Sequence, residues 1–168
     1  MRLSETLLPE FDQEMATTRR LLERVPDDRT DWKPHEKSMS LGRLATHIAE
    51  LPSLASRILG QDSLDLAAAG GSGRGPNVLG THQEIVDLFD SNVRATHAAI
   101  ESAENEALMQ PWTLRKGDQV IFTLPRLAAL RAMVLNHTIH HRGQLSVYLR
   151  LNDVPLPSVY GPTADEAF

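Results

Sequence analysis

Asn136-His137-Thr138-Ile139-His140-His141-Arg142-Gly143-Gln144-Leu145 is the stretch on which the reading of this chain turns. Three of the seven histidines fall within five residues, inside the longest helical pattern of the sequence. His137 and His141 are four residues apart, so on a helix they stand one turn above the other on one face. That spacing lets two imidazoles close on one metal ion, and it suits two polar side chains on a solvated helix equally well.

Working outward, Leu127, Leu130, Val134, His137, His141, Leu145 and Tyr148 follow the helical repeat. They predict a helix from Pro125, which suits a first turn, to about Leu151, with both histidines on its inner stripe. Asn152-Asp153 ends it, and residues 154–162 form an extended tail. His140 is rotated by about 60° from His137 and about 100° from His141. It belongs on the flank with Asn136 and Gln144, as pocket wall or as groups that orient imidazoles and bound water. Gly143 in mid-helix costs about 1 kcal/mol relative to alanine, which close approach of a neighbouring helix or chain would explain.

Three further amphipathic helices precede this one. Leu7, Leu8, Phe11, Met15, Leu21 and Leu22 mark the first, over residues 4–24 with Ser4 as N-cap. A polar loop, 29–39, carries Trp32, placed to plug onto the core or line a pocket mouth. Ser40 caps a second helix that runs to Leu59 and is closed by Gly60. Its stripe is Leu44, His47, Leu51, Leu54 and Ile58, and Pro52 predicts a kink just past His47. Thr81-His82-Gln83-Glu84 is a capping box that opens a third helix to about Ala103, with His82 and His97 at its surface or flank.

Between the third and fourth helices the period changes to alternation around Gly117-Asp118, predicting a short β-hairpin near residues 111–123. Residues 67–76 are glycine-rich and read as a flexible loop. They are no phosphate cradle, because the glycines miss the nucleotide-loop spacings and no strand precedes them. The expected fold is an all-α four-helix bundle, a single domain over residues 1–168, with connections long enough for crossovers.

Composition narrows the function. No apolar run approaches the roughly 18 residues a membrane helix needs. The N-terminus turns acidic at once and lacks an apolar signal core, so a cytoplasmic address is expected. The net charge of −5 and pI near 5.8 argue against nucleic acid as a partner. With no cysteine, disulfides, thiolate zinc sites and a cysteine nucleophile are excluded, and any metal must rest on imidazole, carboxylate or backbone oxygen.

Two apolar stripes therefore carry histidine where leucine would be expected. A buried imidazole nitrogen without a partner costs roughly 1–3 kcal/mol. Separate carbonyl or carboxylate partners answer that cost, and for His47 alone they are the simpler reading. Taken jointly, His47, His137 and His141 favour one divalent metal with positions left open to water or substrate. Glu50, three residues after His47, reads as a surface carboxylate that could reach the open coordination sphere. There is no Gly-x-Ser-x-Gly elbow and no His-Glu-x-x-His; Thr138, Ile139 and His140 separate the two histidines, so the glutamate base of zinc proteases is missing.

With these residues in place, the chain resembles the DinB-like (DinB/YfiT) superfamily. The likeness rests on residues 31–35 before Ser38-Met39-Ser40-Leu41, on Leu44-Ala45-Thr46-His47-Ile48-Ala49, on residues 136–145, and on Val154-Pro155 with residues 160–166. It implies a bundle of up-down-down-up connectivity with His47, His137 and His141 as metal ligands at one end. It implies zinc or nickel foremost as the ion, with iron, manganese and copper also compatible, and a homodimer. Several members of the superfamily transfer low-molecular-weight thiols, and others are described as metal-dependent hydrolases. The expected function is thus a metal-dependent enzyme of thiol S-transferase or hydrolase type acting on a small molecule. Trp32, His35, His140 and Tyr160 are expected at its pocket wall. The alternative is a non-catalytic metal-binding or stress-response protein of the same fold, and a third reading is a bundle whose histidines are satisfied singly.

Overall fold

Leu7, Phe11, Met15, Leu21 and Leu22 recur at helical spacing and lie buried along α1 (Leu3–Leu22) of the computed structural model, which describes residues 2–68 and 78–167. Apart from its first two residues, the glycine-rich loop at 67–76 lies outside the described residues. The helix begins ahead of Ser4, the expected cap. Asn105 Oδ1 takes the Leu3 N–H at 2.8 Å and Glu5 takes the Arg2 N–H, so a tertiary contact supplies the cap.

Ser40 Oγ accepts from Arg43 N and starts α2 (Leu41–Glu50). Pro52 breaks the helix as expected: a 3₁₀ turn, Leu51–Ser53, leads into α3 (Leu54–Gly60). The Thr81–Glu84 capping box forms in both directions and opens α4 (His82–Ser102). A short α5 (Asn105–Met109) then precedes the strands. β2 (Pro111–Lys116) and β3 (Gln119–Pro125) make the expected hairpin, closed by Gly117 at φ +58°. β1 (Ser63–Asp65) adds to it in parallel, in the order β1-β2-β3. Neither α5 nor β1 was expected; both are too short to carry a period. Trp112, 1% exposed, fastens the hairpin to the core.

The fourth helix corrects the sequence reading. In place of one α-helix from 125 to 151 there is α6 (Arg126–Leu130), a π-helical segment (Arg131–Asn136) and α7 (His137–Leu151). Widened turns shift the phase of the inner face. The buried line of α7 becomes Thr138, Arg142, Leu145 and Leu149, while His137, His141 and Tyr148 move to its flank and are only partly buried. Gly143 is exposed, and a Cβ there would meet nothing within 4 Å, so among the described residues no other helix approaches it closely.

α1 packs on α4 and α7, and α2 packs on the same two helices. Successive long helices α1 and α2 therefore lie across the bundle from one another, which is the crossed connectivity expected. One apolar cluster joins Phe11, Leu44, Phe89, Trp112 and Leu145. Among the described residues no helix is long and apolar enough to cross a membrane.

Candidate metal centre

His47 lies on α2, and His137 and His141 on the first turns of α7, which packs against it. The ring centroids stand 5.3 Å apart for His47–His137, 4.6 Å for His47–His141 and 4.7 Å for His137–His141. One nitrogen from each ring can be chosen so that all three lie within 4.8 Å of one another. All three side chains are partly buried.

Their tautomers are set by neighbours. His141 Nδ1 is 2.7 Å from Gln144 Oε1, an acceptor, so that nitrogen carries the hydrogen. His137 bonds the carbonyl of Met133, in the π-helical segment, and its own backbone N–H turns to Val134. The two Nε2 atoms lie 2.9 Å apart, within hydrogen-bonding distance, with donor and acceptor set by the tautomers of the two rings. Burial holds both imidazoles below the ordinary histidine range; the neighbouring imidazoles push the same way, and the Met133 and Gln144 hydrogen bonds oppose it. Both rings are therefore neutral at neutral pH, the form a metal requires. Three imidazoles are a donor set that fits zinc, nickel, copper or iron alike.

Around this trio, Gln144 also donates from its amide nitrogen to His140 Nε2 at 3.2 Å, joining His140 to His141. Glu50 Oε2 lies 3.9 Å from His47 Nδ1 and accepts both Arg43 Nη1 and Nη2 at 3.1 Å. Trp32 meets Tyr148 edge-on at 5.5 Å, on the α7 flank one turn beyond Gln144. His35 is exposed and caps its own turn through Lys37 N, and Asn136 is exposed at the end of the π-helical segment. Tyr160 is turned to other work: its hydroxyl bonds Glu14 at 2.8 Å and accepts from Arg142 at 2.9 Å. His82 pairs with Asp27 and His97 with Asp12, each away from the trio.

Sequence reasoning missed Arg43 and Arg142. Arg142 is 2% exposed, paired with Glu14 at 2.7 Å on the side of α1. A charged residue beside two histidines reads as surface. Arg43 had a usable signal: Arg43, His47 and Glu50 are spaced by four and three on one helix face.

The family model described as the DinB family matches residues 1–167. Among curated proteins, YrdA of Bacillus subtilis (strain 168), itself uncharacterised, is 25% identical over 160 residues, 95% of this chain and 89% of YrdA. Two solved structures share the fold. A DinB-like protein from Bacillus cereus ATCC 10987 superposes with a TM-score of 0.73 at 22% identity, covering 93% of this chain and 97% of that one. The DinB-like protein YjoA of Bacillus subtilis gives a TM-score of 0.69 at 23% identity over 92% and 97%.

Proposed function

The chain belongs to the DinB family, and on that premise we propose that it binds a divalent metal ion through His47, His137 and His141 and acts as a metal-dependent enzyme. The observation that carries the metal is the convergence of three imidazoles, with one nitrogen each from His47, His137 and His141 within 4.8 Å of one another. A divalent ion held there supplies Lewis acidity, lowering the pKa of a bound thiol or water. The protein's own part is to keep His137 and His141 neutral, to fix them through Gln144 and the Met133 carbonyl, and to leave the His140 flank open.

The reaction type, thiol S-transfer or hydrolysis, and the homodimer rest on the family resemblance. Zinc and nickel are the first ions to try. Metal-loaded protein should turn over at least one pair from a panel of bacillithiol, mycothiol or glutathione with an electrophile, or a generic ester alone. Silence across the panel in protein that retains its metal favours a binding protein without turnover. Sedimentation at several concentrations tests the dimer.

A further inference from the structure

We propose that Arg43 and Glu50 form a carboxylate seat beside the three imidazoles, so that the site selects small molecules bearing a carboxylate; this rests on the metal-centre reading above. Arg43, His47 and Glu50 share one face of α2. The Arg43 side chain is only 11% exposed, and Glu50 is 33% exposed. A guanidinium offers five N–H donors in a rigid fork that matches a carboxylate's two oxygens. Here Nη1 and Nη2 converge on a single oxygen, Glu50 Oε2, while Nε is buried with no acceptor. Nε lies too deep for a ligand to reach, so an incoming carboxylate must take the place of Glu50 on the two Nη groups.

In the structure the Glu50 carboxylate itself occupies this seat. The same Glu50 oxygen stands 3.9 Å from His47 Nδ1. A ligand carboxylate that takes the place of Glu50 on Arg43 keeps the guanidinium paired, while Glu50, 33% exposed, turns to solvent. Charge favours the exchange. Three neutral imidazoles leave a divalent ion's two positive charges uncompensated, and Arg43 and Glu50 cancel each other, so the loaded site attracts an anion.

The probes are succinic monohydroxamate and butyrohydroxamate, matched in length and metal-binding head but differing in the terminal carboxylate. Calorimetry on the zinc-loaded protein should find the charged probe about tenfold tighter. The preference should vanish in Arg43→Met, shrink in Arg43→Lys, which keeps the charge without the fork, and grow in Glu50→Ala, where the seat is vacant. Equal affinity for the two probes in both wild type and Glu50→Ala overturns the seat. If neither probe binds protein that retains its zinc, the open coordination position fails instead. The seat is then decided on metal-free Glu50→Ala: acetate should raise its melting temperature above that in equal chloride, and not that of Arg43→Met/Glu50→Ala. No acetate effect overturns the seat.

Discussion

Gln144 Oε1 lies 2.7 Å from His141 Nδ1, and the nitrogen of the same amide lies 3.2 Å from His140 Nε2. One side chain thus fixes which nitrogen of His141 carries the proton and ties it to the exposed His140. Groups that orient metal-ligating histidines typically govern affinity by about 10–100-fold. Gln144→Ala should therefore weaken zinc binding by about that factor without loss of fold, measured by competition with a chromophoric chelator. Unchanged affinity would mean that the amide does not orient the imidazole.

Much of this arrangement was legible in the sequence, and what was not has physical reasons. The Thr81 capping box, the Pro52 break and the Gly117-Asp118 turn each follow from local rules, and each is where the sequence placed it, while His47, His137 and His141 meet as their spacings suggested. The π-helical segment was not legible, because widening a turn depends on how α6 and α7 pack and leaves no residue signature. Its consequence, the rotation that buries Arg142 and sets the histidines on the flank, was hidden with it. Tyr160 was expected at the pocket wall, yet its hydroxyl serves the Arg142–Glu14 pair, a contact spanning 146 residues of sequence.

That pair predicts a stability effect. Arg142 and Glu14 are both buried, and removing one partner leaves the other charge uncompensated, at about 3–5 kcal/mol. Arg142→Met should lower the urea midpoint accordingly, and Glu14→Leu/Arg142→Met should recover most of the loss. A double variant as unstable as the single one would contradict this account. Tyr160→Phe, which removes a hydroxyl bonded to both, should cost about 1 kcal/mol.

In metal-free protein the depressed His137 and His141 values fix a sign for pH dependence. Below about pH 6.5 the unfolded chain takes up protons that the folded chain refuses. Stability is thus fully present above that pH and is lost as pH falls from there through the folded values. Urea midpoints at about pH 7.5 and about pH 5.5 should differ more for wild type than for His137→Gln/His141→Gln. Equal differences would place both imidazoles in a water-like environment.

At the hairpin, Gly117 holds φ +58°, a conformation that other residues adopt at a cost of roughly 1–2 kcal/mol. Gly117→Ala should destabilise by about that amount, although a Cβ there meets nothing within 4 Å. Thermal unfolding measures it, and an unchanged melting temperature would show that the turn relaxes freely.

The central claim is that His47, His137 and His141 share one metal ion, and elemental analysis of purified protein tests it most directly. Wild type loaded with zinc or nickel and then desalted should retain about one equivalent per chain, as expected for a site of three imidazole donors. His47→Ala and His137→Ala, each folded by circular dichroism, should retain almost none. Equal metal content in wild type and both variants would contradict the account, leaving a bundle whose three histidines meet without a shared ligand.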